Sequence, residues 1–257
     1  MLRNGERMDL QLKGKTALVT GASAGLGRAI AIALAAEGVQ LCITARRREL
    51  LETLANEVAN AGGLKPHIVT ADLINEGAAA KLAEAALRTL GHVDILVNCA
   101  GAGGKTALNA PEEVWAKSMM LNYTQVRHLT HAILPDMMRR GWGRVINITG
   151  KSESLRLGAA HPAKAAVHAW SKDISTEVGK YGITLNCIAP GRIISEQVKR
   201  NYTDEFRREH AAKDIPVGRY GEEQELAYLA VFLASPLASY ITGTVMPVDG
   251  GLRRYAF

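Results

Sequence analysis

Gly21, Gly25 and Gly27 form a candidate phosphate-binding turn. They lie between an apolar run, residues 16–20, and the start of a helical pattern. Gly21 permits the turn, Gly25 lets backbone amides approach a diphosphate, and Gly27 lets the helix pack closely on the strand. The free N–H groups and the positive dipole at the helix start favour an anion there. The alternative is an ordinary tight turn, but the strand before it and the helix after it favour a phosphate site.

The apolar pattern alternates between strands and helices along the chain. It predicts strands at 16–20, 39–45, 66–71, 93–97, 144–148, 183–188 and 244–248. It predicts helices over 25–37, 50–63, 75–90, 111–140, 162–180 and 222–234. This alternation is typical of an α/β fold, here a doubly wound parallel sheet of about seven strands with helices on both faces.

The length of 257 residues suits one large domain, and we expect a single domain over 1–257. Residues 1–14 are an N-terminal extension. Residues 192–220 break the strand and helix alternation after Pro190-Gly191, and we interpret them as a mobile excursion on the substrate side.

Composition excludes several classes of protein. Apolar residues make up 47% of the chain and charged residues 22%, which argues for a globular protein and against disorder. The formal charge of +6 would suit nucleic acid, but no long basic run occurs, so we expect a solvated basic surface and no nucleic-acid partner. No apolar run has the length of a membrane span, and residues 1–15 lack an export signal. We therefore expect no membrane partner and a cytoplasmic location.

Cys42, Cys99 and Cys187 all fall in apolar runs that we interpret as strands. Their number and spacing suit neither a disulfide framework nor a metal site. We expect buried, reduced thiols and no bound metal.

Ligands of such sheets bind outside the carboxyl ends of the strands. Those ends carry Gly21, Ala45-Arg46, Asp72-Leu73, Asn98-Cys99-Ala100-Gly101, Thr149-Gly150 and Pro190-Gly191. With these motifs, and with Asn122, Lys164, Ser195, Thr242-Gly243 and Asp249-Gly250-Gly251, the chain resembles the short-chain dehydrogenase/reductase family. It is most similar to the bacterial 3-oxoacyl-carrier-protein-reductase-like members, and the match covers nearly the whole chain.

The resemblance implies a Rossmann-type fold, a nicotinamide dinucleotide, a small-molecule substrate and a homotetramer or homodimer, with the last helix and strand at one interface. It implies that the dinucleotide contacts Gly21, Ser23, Ala24, Gly25, Leu26, Gly27, Arg46, Arg47, Asp72, Leu73, Asn98, Ala100, Gly101, Lys164, Pro190, Gly191, Ile193 and Ser195. Asp72 could instead cap the following helix, and Ser195 could merely start one.

The end of the second strand bears on which dinucleotide binds. NAD-binding relatives usually carry an acid there, whereas this chain has Ala45 followed by Arg46 and Arg47. A guanidinium binds a 2′-phosphate with charge-assisted hydrogen bonds, so we favour NADP(H) over NAD(H). The alternative is a solvated helix start, and Ala24 lacks the second basic residue of many NADP-binding relatives.

The catalytic positions depart from the family pattern of Tyr-xxx-Lys, a serine after the fifth strand and an asparagine on the preceding helix. Lys164 and Asn122 match, but Ala160 stands where the tyrosine should be. Thr149 or Gly150 stands where the serine should be, and the segment to Lys164 is shorter than usual.

Ser152, His161 or a water could replace the missing phenol. An imidazole transfers protons near neutral pH, which favours His161. However, His161-Pro162 is also typical of a helix N-cap followed by proline, and a loop hydroxyl such as that of Ser152 is often only a turn or capping group. Tyr123 points away from Asn122 on a helix, so we do not assign it this role.

These observations predict an NADP(H)-dependent oxidoreductase that acts on a carbonyl or secondary alcohol with a non-standard proton donor. The alternative is a dinucleotide-binding homologue that lacks ordinary carbonyl reduction. Such a protein would be a regulator, or an enzyme for a different reaction such as a dehydration or an imine reduction.

Overall fold

Seven parallel strands form one sheet in the computed structural model, which describes residues 8–150 and 156–254. The strands are β1 (Thr16–Thr20), β2 (Gln40–Ala45), β3 (His67–Thr70), β4 (Ile95–Asn98), β5 (Gly143–Ile148), β6 (Ile183–Pro190) and β7 (Val245–Val248). Their order is β3-β2-β1-β4-β5-β6-β7, and every neighbouring pair is parallel. The predicted Rossmann-type α/β fold is thereby confirmed.

Helices connect the strands and cover both faces of the sheet. They are α1 (Gly25–Ala36), α2 (Arg48–Asn60), α3 (Ala78–Leu90), α4 (Glu112–Met119), α5 (Gln125–Arg140), α6 (Ala160–Val178), α7 (Glu196–Asn201), α8 (Asp204–Asp214) and α9 (Glu223–Ala234).

Alternate residues of each strand divide the core into two layers, because successive side chains of a strand point to opposite faces. Val19 of β1 packs with the apolar sides of α1, α2 and α9. Its neighbour Leu18 packs with α3 and α5 on the other face. A strand buried on both faces needs a continuous apolar run, which is why β1 and β4 were recognisable in the sequence.

The predicted helix over 111–140 is divided by a π-helical turn, Met120–Thr124, between α4 and α5. Such turns are rare and occur frequently at functional sites. This one contains Asn122.

Helix α6 begins at Ala160 and not at Pro162, and its N-cap is Ala159. His161 and Pro162 therefore lie within the first turn. The interpretation of His161 as an N-cap with proline at the first helical position was wrong.

The interval 192–220, predicted as an excursion, contains the short helices α7 and α8. Each is capped by a side chain: Ser195 Oγ accepts from Val198 N, and Thr203 Oγ1 accepts from Phe206 N. The interval lies beside the carboxyl edge of the sheet, since Ser195, Glu196 and Arg200 border the cleft described below.

No helix within residues 8–150 and 156–254 is long and apolar enough to cross a membrane. The same residues contain no group of three or more His, Cys, Asp or Glu side chains that could hold a metal ion.

Candidate active site

A cleft of about 870 Å³ opens at the carboxyl edge of the sheet. In the sheet, β1 has β2 on one side and β4 on the other, so the strand order reverses at β1. The cleft lies at this point, which is the usual position of ligands in open α/β sheets. The predicted site residues that line it are Gly21, Ser23, Ala24, Gly25, Leu26, Gly27, Arg46, Arg47, Asp72, Leu73, Ala100, Gly101, Asn122, His161, Lys164, Pro190 and Ser195.

The glycine turn leaves the start of α1 open to a ligand. The N-cap residue Ala24 makes no side-chain capping bond, and the first turn of α1 holds no acidic residue. A Cβ on Gly27 would collide with the carbonyl group of Gly21, so only glycine allows α1 to pack this closely on the turn. Because its amides lack a side-chain acceptor and the helix dipole is positive there, this end of α1 fits a dinucleotide diphosphate.

Basic side chains border the cleft near the end of β2 and beside α7, which we call its outer end. Arg46 and Arg47 extend from the end of β2, and Arg200 approaches from α7. Arg47 also lies 3.9 Å from Glu196 of α7, a loose and exposed ion pair. Sequence analysis missed Arg200 because α7 was not predicted.

Asp72 lies at the cleft but does not cap the helix that follows it. Its Oδ1 accepts from the backbone N of Ile74 at 3.2 Å, so the side chain fixes the turn after β3. It also lines the cleft. Helix α3 begins only at Ala78, so Asp72 is not its N-cap.

Asn98, Gly191 and Ile193 do not line the cleft. The Asn98 amide is buried and donates to Thr130 Oγ1 at 3.0 Å and to Asn147 Oδ1 at 2.9 Å, inside the sheet. Gly191 lies so close to Asp249 that a Cβ would be 2.5 Å from its Cα. Ile193 is buried beside Gly221. The structure thus gives each of these three residues a packing role, and their contact with a dinucleotide stays a prediction.

Asn122 and Lys164 meet the backbone of Gly101 in the part of the cleft near the ends of β4 and β5, which we call its inner end. Asn122 is 1% exposed, accepts from Ala102 N, and donates to the carbonyls of Ala102 at 3.0 Å and Ser118 at 3.1 Å. Lys164 Nζ donates to the Ile148 carbonyl at 2.9 Å. A Cβ on Gly101 would lie 2.8 Å from Asn122 Oδ1 and 3.2 Å from Lys164 Nζ. Both side chains therefore pack against the backbone of Gly101, and a larger residue there would displace them.

Burial shifts the pKa values of Lys164 and of the thiol of Cys99 beside it. It lowers the pKa of the Lys164 ammonium, and the neighbouring Cys99 and Cys187 thiols act in the opposite direction. Burial also raises the pKa of the Cys99 thiol to about 12, so this thiol stays protonated at neutral pH. Cys99 lies just after β4 and lines the cleft, while Cys42 and Cys187 lie in strands. All three thiols are free.

The sequence model of the family described as enoyl-(acyl carrier protein) reductase matches residues 21–253. The chain belongs to the short-chain dehydrogenase/reductase family. It is 34% identical over 256 residues to the 3-oxoacyl-[acyl-carrier-protein] reductase of Aquifex aeolicus, covering 95% of this chain and 100% of that protein.

Solved structures of this family are similar over nearly their whole length. L-sorbose reductase from Gluconobacter frateurii, complexed with NADPH and L-sorbose, has a TM-score of 0.91 at 30% identity, with 96% of this chain and 100% of that chain covered. A 7α-hydroxysteroid dehydrogenase complexed with NADH and 7-oxo glycochenodeoxycholic acid has a TM-score of 0.89 at 31% identity, with 95% and 96% covered. The family binds dinucleotides, and the two complexes contain different ones.

In this short-chain dehydrogenase/reductase the position of the missing tyrosine faces the cleft. Ala160 lines it one helical turn before Lys164, so the two side chains share a face of α6. A Cβ placed on Gly103 would lie 3.7 Å from the Ala160 methyl group, which marks the far wall of the space. His161 lines the cleft as well. Ser152 lies outside the described residues.

A second polar pair joins Thr149, which lines the cleft, to His168 behind it on α6. Thr149, at the end of β5, has its Oγ1 2.7 Å from Nε2 of His168 on α6. Thr149 was one of two candidates for the family's serine position, but His168 was missed. Its four-residue spacing from Lys164 was the only sequence signal, and that spacing also suits a buried helix face.

Proposed function

We propose that this protein is an NADP(H)-dependent oxidoreductase that interconverts a carbonyl and a secondary alcohol without a tyrosine proton donor. The observation that carries the proposal is the junction of Asn122, Lys164 and Gly101 at the inner end of a glycine-lined cleft. When bound, the nicotinamide supplies or accepts the hydride. The glycine turn would bind the diphosphate, and Lys164 would bind the nicotinamide ribose.

The choice of NADP(H) rests on charge. Arg46 and Arg47 line the outer end of the cleft, and β2 ends without an acid that would repel a 2′-phosphate. The NADPH complex of L-sorbose reductase supports this choice, while the NADH complex of 7α-hydroxysteroid dehydrogenase shows that relatives of the same fold differ.

Relatives whose names describe carbonyl reduction or alcohol oxidation support the proposed substrate class. Asn122, fixed by Ala102 and Ser118, would hold a water beside Lys164 and so connect the reacting oxygen to solvent. A proton donor other than a phenol must then complete the reaction, since the methyl side chain of Ala160 has no acidic proton. General acid catalysis contributes about 10²- to 10⁴-fold in rate, so its loss slows such a reaction without abolishing it.

Ala160 also favours a second candidate, a dinucleotide-binding homologue without ordinary carbonyl reduction. Two measurements on the purified protein separate the candidates. NADPH and NADH binding is followed by nucleotide fluorescence, and turnover is screened on ketones, secondary alcohols, imines and 3-oxoacyl thioesters. We expect tighter binding of NADPH and oxidation of NADPH by at least one ketone. Tight binding without turnover of any carbonyl or alcohol supports the second candidate.

We further infer a homotetramer or homodimer. Apolar side chains are exposed on and just after α9, namely Tyr228 at 67%, Leu237 at 44% and Tyr240 at 101%. Exposed apolar patches of this kind mark association surfaces. Light scattering of the purified protein measures the subunit number, and a monomer at micromolar concentration contradicts the inference.

A further inference from the structure

Thr149 and His168 form a hydroxyl–imidazole pair beside Lys164. The two side chains come from different elements, the end of β5 and the middle of α6, and they meet at 2.7 Å between Oγ1 and Nε2. Thr149 is only 8% exposed and lines the cleft. His168 lies one helical turn after Lys164, on the same side of α6. Thr149 is also one of the two residues, with Gly150, that stand where the family has its serine.

The hydroxyl has one proton and two neighbouring acceptors. Thr149 Oγ1 lies 3.1 Å from the Ile188 carbonyl, compared with 2.7 Å from His168 Nε2. If the proton points to Ile188, then Nε2 must carry a proton and donate it to Oγ1. If the proton points to His168, then Nε2 accepts it through its lone pair. Only the second arrangement leaves an Nε2 lone pair facing the hydroxyl, so it is the one in which the imidazole can take up the threonine proton along this short contact.

The surroundings favour the neutral imidazole. Burial is the largest cause that lowers the pKa of His168, and the positive charges of Lys164 on α6 and Arg253 near the chain's carboxyl end add to it. A neutral imidazole can accept a proton, and a protonated one can return it.

We propose that Thr149 is the catalytic hydroxyl that exchanges a proton with the substrate oxygen, and that His168 is the positioning residue that exchanges a proton with Thr149. This inference rests on the proposed oxidoreductase function and supplies the donor that Ala160 lacks. In alcohol oxidation the substrate O–H proton passes to Thr149 Oγ1, the Thr149 proton passes to His168 Nε2, and the dinucleotide takes up the hydride from the carbinol carbon. Carbonyl reduction reverses each transfer.

Three variants test the pair on any substrate that the wild-type enzyme turns over. Thr149→Val keeps the shape but lacks the hydroxyl, and we expect kcat to fall about 100-fold or more. Thr149→Ser keeps the hydroxyl and should stay within about fivefold of the wild type. His168→Gln keeps a hydrogen-bonding group near the Nε2 position but cannot titrate.

The pH profile separates proton exchange from simple positioning. In the wild type we expect oxidation to rise, and reduction to fall, as pH increases through the lowered pKa of His168. His168→Gln should lose this limb even if its rate at the optimum is partly kept. Wild-type turnover with an unchanged limb in His168→Gln overturns the relay and leaves the oxidoreductase function standing. Near-normal turnover by Thr149→Val does the same.

A readout independent of turnover is the ¹⁵N spectrum of the His168 ring, assigned by its loss in His168→Gln. We expect it to titrate below the usual histidine pKa and its Nε2 resonance to shift in Thr149→Val. An Nε2 resonance that is the same in Thr149→Val as in the wild type overturns the relay. If the wild type binds NADPH but turns over nothing, the proposed function fails and the relay fails with it.

Discussion

Ala160 and Lys164 lie one helical turn apart on α6, and both line the cleft. Any side chain at position 160 therefore extends into the space that the Lys164 amine faces. An alanine there leaves that space open and leaves Lys164 without a phenol to act on.

Ala160→Tyr should restore the family's proton donor. We expect an increase in the rate of carbonyl reduction of about 10-fold or more, because a positioned general acid contributes that much or more. The matched control is Ala160→Phe, which fills the same space without a hydroxyl and should give no increase. Steady-state kinetics on one ketone measure both. Equal rates for the two variants, with NADPH binding intact, would show that the pocket cannot use a phenol at this position.

The arginines after β2 should select for the 2′-phosphate. Arg46→Ala and Arg47→Ala each remove a cation from the cleft, and we expect each to weaken NADPH binding about 10-fold or more, as for a charged hydrogen bond, with little change for NADH. Arg48→Ala is the matched control, since Arg48 pairs with Glu52 at 2.8 Å and does not line the cleft. Fluorescence titration gives the dissociation constants. Equal losses for NADPH and NADH would argue against 2′-phosphate recognition.

Sequence reasoning identified the fold because its signals are local. The apolar runs of β1 and β4 and the glycine turn before α1 each follow from neighbouring residues. The alternation of strands and helices then restricts the topology, because parallel strands need right-handed crossover connections. It also places the ligand, since ligands of such sheets bind where the strand order reverses. The glycine turn and the arginines after β2 follow from the same signals, whereas Arg200 was missed because α7 was not predicted.

The inner half depends on contacts between distant segments. Asn98 looked like a ligand residue from its motif, but its amide is bonded to Thr130 and Asn147 from other elements. His168 has meaning only because α6 brings it to the end of β5, 19 residues away along the chain. Helical period alone cannot distinguish such a residue from one that merely packs.

Gly101 keeps Asn122 and Lys164 in their positions. A Cβ from Gly101→Ala would lie 2.8 Å from Asn122 Oδ1, so that side chain must move. We expect kcat to fall about 10-fold or more, because small misplacement of positioning groups is costly, while the free energy of unfolding falls by about 1–3 kcal/mol. Gly179→Ala is the control, since a Cβ there meets nothing within 4 Å and its φ is −56°. Thermal unfolding and turnover are measured together. Unchanged turnover in Gly101→Ala contradicts the prediction.

Glu223 should oppose the binding of a diphosphate. Its Oε1 lies 3.7 Å from where a Cβ on Gly25 would be, at the mouth of the glycine turn. Burial raises the pKa of this carboxyl, with Arg28 and Lys199 acting against the shift and Glu196 and Glu222 acting with it. Above that pKa the carboxylate repels the diphosphate, and below it the neutral acid does not. The repulsion is therefore absent at low pH and appears as pH rises.

Glu223→Gln should consequently bind NADP⁺ about fivefold more tightly than the wild type at pH 8, which corresponds to ~1 kcal/mol, with the advantage disappearing at about pH 4 to 5. Calorimetric titration at both pH values measures it. Glu84→Gln, on the exposed side of α3 and outside the cleft, makes the same change in net charge and should leave the affinity unaltered. A pH-independent gain in Glu223→Gln, or an equal gain in Glu84→Gln, would mean that the carboxylate at the glycine turn does not act on the diphosphate directly.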